Sequence, residues 1–131
     1  MAKELSFKPW HLVHGVHAEQ LAGRYLESRG LIVIARNVRF KVGEIDLVCL
    51  DQQVLVIVEV RLRRSDEFGG ALASINTWKQ RKLIRATQCF LQRSSEWAHL
   101  PLRFDVIAIT GIPHRDPEIT WIKQAFTVKG R

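Results

Sequence analysis

The chain has 131 residues, 47% of them hydrophobic and 25% charged, which is typical of a globular domain large enough for its own core. Twenty Lys and Arg residues against thirteen Asp and Glu residues give a net charge of +7, which favours a polyanionic partner such as DNA or RNA, although solubility alone would also explain it. The N-terminal residues show neither the apolar core nor the small-residue cleavage site of a signal sequence, no apolar run approaches the ~20 residues of a membrane span, and there are only two cysteines. We therefore expect a cytoplasmic protein with no membrane partner.

The first predicted element is an amphipathic helix over roughly residues 14–29, which Gly30 ends. Its apolar stripe comprises Ala18, Leu21, Ala22, Tyr25 and Leu26. Because successive helical residues are about 100° apart, Glu19 lies about 20° from Leu26, at the rim of the buried face. Residues 1–12 precede this helix and form a candidate disordered arm.

Strands and a second helix make up the rest of the chain. The predicted strands are Leu31–Phe40, Glu44–Leu50, Val54–Arg63 and Arg103–Thr110, with a helix from about Thr77 to about Arg93 and a C-terminal strand or short helix over Glu118–Phe126. The link between the second and third strands is short and polar, which predicts an antiparallel hairpin. The order αβββαβ, without linker or repeat, indicates one α/β domain over residues 1–131.

Three acidic residues, Glu44, Asp46 and Glu59, lie in this hairpin, where an unpaired buried carboxylate is costly. Alternation of side chains along a strand predicts two faces for the second strand. One face carries Glu44, Asp46 and Val48, and the other carries Ile45, Leu47 and Cys49. In the third strand, Glu59 and Arg61 share a face.

The short link also predicts the register of the hairpin. Leu50 then faces Leu55, which puts Asp46 directly across from Glu59. Cross-strand partners have Cβ atoms about 4.5–5.5 Å apart, so these carboxylates repel unless a cation such as Mg²⁺ lies between them or one is protonated. In the alternative interpretation the face is solvated, and the acids pair with the basic residues Arg61, Arg63 and Lys41.

The acid on the first helix, the GEID strand and the VEVR strand together resemble the PD-(D/E)xK nuclease superfamily. More closely, the segments GVHAEQLAGRYLESRGLIVIARNVR, GEIDLV, VIVEVRLRR, KQRKLIRA and RFDVIAI resemble the YraN family of small bacterial proteins, which are predicted endonucleases likened to archaeal Holliday-junction resolvases. The resemblance spans about residues 15–126. It implies a restriction-endonuclease-like αβββαβ core, with a mixed central sheet flanked by helices. It also implies a Mg²⁺- or Mn²⁺-dependent endonuclease acting on DNA, including branched or junction DNA, and leaves a homodimer open.

The resemblance further implies roles for the acids. Asp46 and Glu59 match the metal-binding acids of the motif, and Glu44 would be a further ligand or support them. Glu19 matches the helix acid that resolvase-like members add to the site. Arg61 stands where the superfamily usually has Lys, and Arg cannot act as a base.

An arginine at this position can still clamp the scissile phosphate and stabilise its developing charge. The attacking water would then be activated by the metal, or by Lys79 or Lys82 on the second helix. Lys79 and Gln80 match positions at which related nucleases contact phosphate.

Basic residues form two clusters, which we expect to track phosphates. These residues are Arg61, Arg63 and Arg64 at the strand end, and Lys79, Arg81, Lys82 and Arg85 on the second helix. Trp78 is a candidate for stacking on a base, ahead of Trp97 and Trp121, although a core or edge role is the simpler interpretation of each. We interpret His11, His14 and His17 as surface residues, because this spacing does not make three helical side chains converge.

Two functions from different classes follow from these patterns. The first is a metal-dependent endonuclease that uses Glu19, Asp46, Glu59 and Arg61. The second is a non-catalytic nucleic-acid-binding module that retains the nuclease fold, which the arginine in place of lysine leaves open. The choice between DNA and RNA is also open at this point.

Overall fold

The computed structural model describes residues 10–64 and 75–128 and contains a five-stranded sheet between two helices. Its elements are helix α1 (Trp10–Ser28), strands β1 (Ile32–Phe40), β2 (Gly43–Asp51) and β3 (Val54–Arg63), helix α2 (Thr77–Arg93), a 3₁₀ helix (Ser95–Trp97), and strands β4 (Leu102–Thr110) and β5 (Glu118–Phe126). The predicted αβββαβ order is confirmed, and the C-terminal element is a strand. Within the described ranges, neither helix has the length and apolar character needed to cross a membrane.

The sheet is mixed, as expected, and its strands lie in chain order. Strands β1, β2 and β3 are antiparallel, β3 and β4 are parallel, and β5 is antiparallel to β4. Helix α2 lies in the crossover between the two parallel strands, which need a long connection. Leu50 pairs with Leu55, which confirms the predicted hairpin register, and the β2–β3 ladder ends at the Leu47–Val58 pair.

Each face of the sheet packs against one helix. The first core contains Ala18, Ala22 and Leu26 of α1 with Leu47, Cys49, Val56, Val58, Ile107 and Ile109 of the sheet. The second core contains Leu83, Ala86 and Phe90 of α2 with Ile45, Val48, Leu55, Ile57 and Phe104. Strands β2 and β3 are therefore buried on both faces, and the polar residues just beyond the cores are held by rigid neighbours.

The predicted alternation of β2 is wrong at Ile45. Ile45 packs with Val48 in the second core, against α2, whereas Leu47 packs in the first core, against α1. Asn37 lies opposite Asp46 between two paired positions, and its φ of 51° is in the left-handed region. The local change of backbone direction breaks the alternation, so β2 changes faces at Asp46.

The start of the first helix also differs from the prediction. Helix α1 begins at Trp10, so residues 10–12 of the proposed arm are helical. Residues 1–9 of that arm lie outside the described residues. The bounds of β3 and α2 agree with the prediction.

A buried polar cluster joins β4 to its neighbours. Asp105 is fully buried and accepts hydrogen bonds from Nε and Nη2 of Arg103 at 2.9 and 3.0 Å, from Nε1 of Trp121 at 3.0 Å, and from the N–H of Gln124 at 3.0 Å. Arg103 also donates to Oδ2 of Asp51 at 2.9 Å. Every oxygen of this carboxylate has donors, so its charge is compensated within the fold.

Candidate active site

A cleft of about 400 Å³ opens where the β2–β3 ladder ends. The tip of the β1–β2 hairpin, the end of β3 and the first turns of α2 form its walls. Its lining residues are Phe40, Lys41, Gly43, Glu44, Asp46, Glu59, Arg61, Ile75, Trp78, Lys79, Lys82 and Leu83. The cleft therefore gathers acids and cations that are well separated in the sequence.

The cleft exists because β2 separates from β3 beyond their last paired residues. The N–H of Val60, which a longer ladder would pair with backbone, donates to Oδ2 of Asp46 at 2.8 Å. On the opposite wall, a Cβ on Gly43 would lie 3.0 Å from the carbonyl oxygen of Lys82. Glycine at the start of GEID thus permits the close approach of hairpin and helix that forms this wall.

The charge of Glu59 acts on Asp46 in this cleft. Asp46 is only 9% exposed, and burial together with the charges of nearby acids raises its pKa from 3.8 to about 8, although the Val60 N–H lowers it. Burial also raises the pKa of Glu59, which Arg61 and Lys79 lower. Without a cation between them, the two carboxyl groups therefore retain a proton close to neutral pH.

Glu19 approaches this pair from α1, on the other side of the sheet from α2. Its pKa is raised, mainly by burial, and a hydrogen bond with the side chain of Asn37 lowers it. The charge of Glu19 contributes to the raised pKa of Asp46. Glu19 is not among the residues that line the cleft, so it acts on the pair from behind Asp46.

Arg61 lies in the cleft beside Glu59, as the alternation in β3 predicted. Its Nη2 is 3.4 Å from Oε2 of Glu59. Its Nε is buried and has no hydrogen-bond partner among the described residues. A buried donor without an acceptor is costly, and an anionic ligand whose oxygen accepts from Nε would remove that cost.

The first turn of α2 adds positive charge to the cleft. Asn76 caps the helix, since its Oδ1 accepts from the N–H of Lys79 at 2.9 Å. The first turn contains no acidic residue, and Lys79 and Lys82 lie in the first two turns. Cations oppose the helix dipole at this end, so their presence does not help the helix, but it favours an anion in the cleft.

Three residues predicted to contact nucleic acid lie outside the cleft. Gln80 donates from Nε2 to the carbonyl oxygen of Ile75 at 3.1 Å and lines a separate groove of about 430 Å³ on α2. The carbonyl of Arg63 accepts from the N–H of Gly111 at 2.9 Å, near the end of β4. Arg64 is exposed and follows it.

A sequence profile described as "Uncharacterised protein family UPF0102" matches residues 18–109, which contain the acids, Arg61 and the three lysines of the cleft. The chain belongs to the UPF0102 family. This is the YraN family, so the resemblance is confirmed at the level of the family.

Individual relatives match almost the whole chain. A UPF0102 protein of Pseudomonas putida KT2440 is 47% identical over 112 residues, which are 86% of this chain and 90% of the relative. A UPF0102 protein of Saccharophagus degradans 2-40 is 48% identical over 118 residues, or 90% and 96% of the two chains. One of Pseudomonas fluorescens Pf0-1 is 48% identical over 116 residues, or 88% and 94%. These names give the family and no activity.

The acids of this UPF0102 protein suit a hard divalent cation whose coordination shell is completed by water and by the substrate. Among residues 10–64 and 75–128, no three or more His, Cys, Asp or Glu side chains are arranged to hold a metal. Mg²⁺, however, uses one or two protein carboxylates together with water and substrate phosphates. Asp46 and Glu59 fit that requirement, because Asp46 is buried and Glu59 is half-buried in the same cleft, and the charge of Glu59 raises the pKa of Asp46. Glu44 is exposed at the cleft wall.

The histidines of α1 do not supply a metal site within the described residues. His17 is exposed and His14 is half-buried, and the side chain of His11 lies outside the described part. The rings of His14 and His17 lie 6.1 and 5.8 Å, between centroids, from that of His114. These rings lie near the protein surface, and none of the three histidines lines the cleft.

Two contributors to the site escaped the sequence interpretation. Asn37 contacts Glu19 and breaks the alternation of β2. A single Asn within a predicted strand was a usable signal, because Asn is enriched at left-handed φ. The N–H of Val60 left no signal, since its availability depends on where the ladder ends.

Proposed function

We propose that this UPF0102 protein is a metal-dependent endonuclease that hydrolyses phosphodiester bonds in DNA. The observation that supports this best is that Asp46 and Glu59 line one cleft, in which the other charged residues are mainly cations, and that the charge of Glu59 acts on Asp46. A chain gains nothing structural from two carboxylates that both have raised pKa values. Such a pair is favourable when a cation binds it, and the adjacent cations are favourable when an anion does.

The acids would hold and orient the cation. Asp46 is restrained by the N–H of Val60, and Glu59 by Arg61 and Lys79, so the carboxylates are positioned before the substrate arrives. A bound Mg²⁺ or Mn²⁺ would supply an acidified water and neutralise charge on the phosphate. Glu19, behind Asp46, would keep the site negative enough to retain the cation.

The cations would bind the substrate. The Nε of Arg61 would donate to a phosphate oxygen, and the guanidinium would stabilise charge that develops there during cleavage. Lys79 and Lys82 would bind neighbouring phosphates from the first turns of α2, aided by the helix dipole. The net charge of +7 supports a polyanionic substrate in general. The homodimer that junction cleavage would require remains a prediction.

The test is a cleavage assay with linear, flapped and branched DNA in Mg²⁺ or Mn²⁺. Asp46→Asn should abolish cleavage and spare binding, because the amide keeps its acceptor for Val60 but loses the charge that holds the cation. Asp116→Asn is the matched control, since Asp116 is exposed in the β4–β5 turn at a φ of 51°, which Asn also tolerates. Cleavage that survives Asp46→Asn in a preparation free of other nucleases would refute the assignment.

A nucleic-acid-binding module without catalysis is the second candidate. The arginine at position 61 favours it, because Arg cannot take a proton from water. An inert parent protein that binds DNA with every metal, and an Arg61→Lys variant that stays inert, would support this alternative. Partial activity in Arg61→Lys would instead support a phosphate-clamping role.

A further inference from the structure

Trp78 is exposed to an extent that is unusual for its residue type. The residue is 62% exposed, and it is the one exposed tryptophan of the described part of the chain. Trp97 packs against the core of α2, and the indole N–H of Trp121 donates to Asp105. These two have the core and edge roles that were the simpler interpretation, whereas Trp78 does not.

The surroundings of Trp78 are cationic. It lies in the first turn of α2 and lines the cleft that holds Asp46 and Glu59. The Nζ of Lys82 lies 4.4 Å from the centroid of its ring, and Lys79 follows it in the chain. An apolar protein partner would have to desolvate these lysines, whereas a nucleotide supplies both a planar base and an anion.

We propose that Trp78 is a stacking platform for one unpaired base of the nucleic acid whose phosphate enters the cleft. The inference rests on the proposed function, and it adds a substrate class. In a continuous duplex both faces of each base are already stacked, so an indole can receive a base only at a single-stranded end, flap or branch. The lysines bind the flanking phosphates while the ring contacts the base face.

The arrangement also limits sequence preference. Every base has a π-face, so stacking on an indole tolerates all four bases. The strand is then selected by the absence of a pairing partner and not by its sequence. The site would therefore be selective for the structure of the nucleic acid, in the same cleft that is proposed to cut it.

The experiment measures binding without cleavage. The full-length Asp46→Asn protein in EDTA is titrated with a short single strand, with the same strand carrying one abasic position scanned along its length, and with the matching duplex. One abasic position should weaken binding about tenfold, the typical loss for one stacked base, and the strand keeps its phosphates. A single-stranded RNA of the same sequence shows whether the sugar matters.

Trp78→Ala should weaken binding of the intact strand about tenfold and remove the effect of the abasic position, whereas Trp78→Phe should retain most of both. Trp97→Phe is the control for tryptophan replacement away from the cleft. Circular dichroism confirms that α2 is intact in each variant. Equal affinity for intact and abasic strands, or equal losses on duplex and single strand in Trp78→Ala, would overturn the inference, and a Trp78 that instead serves a protein contact gives this result.

This outcome is separate from the fate of the proposed function. A parent protein that binds single strands through Trp78 but never cleaves would refute the endonuclease and keep the stacking platform. A parent protein that cleaves DNA with no dependence on an unpaired base would refute the platform and keep the endonuclease.

Discussion

Two aspartates lie deep in the sheet, and the fold treats them in opposite ways. Asp105 in β4 is surrounded by donors, with Arg103, Trp121 and Gln124 all hydrogen-bonded to it. Asp46 in β2 accepts a hydrogen bond from the N–H of Val60, and the charges that act on its pKa are those of other acids. Both side chains are buried, so burial alone does not separate them.

The difference identifies which carboxylate belongs to the scaffold. A buried charge whose oxygens all have donors is compensated within the chain and requires no ligand. A buried charge beside other charges of the same sign destabilises the fold, and protonation or a bound cation removes that destabilisation. The two aspartates should therefore respond with opposite sign to the same substitution.

The largest effect is expected from Asp105→Asn. The amide leaves Arg103 without its charged partner and turns N–H donors towards other donors, so we expect a loss of about 3–5 kcal/mol in the free energy of unfolding. Urea denaturation followed by circular dichroism measures it. A loss below about 1 kcal/mol would mean that the cluster does not stabilise the fold as its geometry indicates.

Asp46→Asn should instead stabilise the metal-free protein at high pH. Because the folded-state pKa of about 8 exceeds the ordinary 3.8, the parent loses stability as pH rises between these values, and the variant does not. The free energy of unfolding of Asp46→Asn should therefore exceed that of the parent by a few kcal/mol at pH 8, and the two should be nearly equal at pH 4.

Melting curves of parent and variant in EDTA, taken from pH 4 to pH 8, check this difference. Asp116→Asn serves again as the control, with no change expected because Asp116 is exposed. If Asp46→Asn destabilises the protein at pH 8, the two aspartates are alike and the comparison fails.

Mg²⁺ should stabilise the parent by compensating the charge of Asp46, which makes its environment more like that of Asp105. At ten times its dissociation constant, a cation that binds only the folded state adds about 1.4 kcal/mol. We expect that gain in the parent at pH 8, and none in Asp46→Asn or Glu59→Gln. Differential scanning fluorimetry with MgCl₂ against NaCl of equal ionic strength measures it. An equal shift in all three proteins would indicate binding elsewhere.

The smallest effect should come from Arg61→Lys. Because Nε of Arg61 has no partner among the described residues, its removal breaks no hydrogen bond, and the free energy of unfolding should fall by no more than about 0.5 kcal/mol. Arg103→Lys makes the matched comparison, since Lys cannot reproduce the two-pronged contact with Asp105 and should destabilise more. Equal losses in both variants would show that Arg61 is also a structural residue.

Much of the fold could be predicted because it depends on neighbours in the chain. The bounds of β3 and α2 follow from apolar periodicity, and the short link of the β2–β3 hairpin predicts the pairing of Leu50 with Leu55. The C-terminal element stayed open between strand and helix. Pairing with β4 makes it a strand, and that contact is invisible in a local pattern.

The sequence identified several of the charged residues that line the cleft, but not how they are arranged. Strand alternation brings Glu59 and Arg61 together, and the helical wheel puts Glu19 at the rim of α1, as the structure has them. The prediction for Gln80 is not met, because Gln80 lies outside the cleft and its amide donates to the carbonyl oxygen of Ile75. The sequence pattern also does not predict the change of faces at Asp46, which follows from the left-handed conformation of Asn37.

The sequence by itself determined the order of the elements, the hairpin register and the identity of the charged residues, since these depend on spacing along the chain. Only the tertiary structure decided what surrounds each charge. Asp46 is buried among acids because the β2–β3 ladder ends beside it, Gly43 approaches α2 closely and α1 lies on the other side of the sheet. Asp105 has donors because β5 pairs with β4 and brings Trp121 and Gln124 to it. Desolvation and hydrogen bonding depend on contacts between residues that are distant in sequence, so the charge state of each aspartate depends on the tertiary structure.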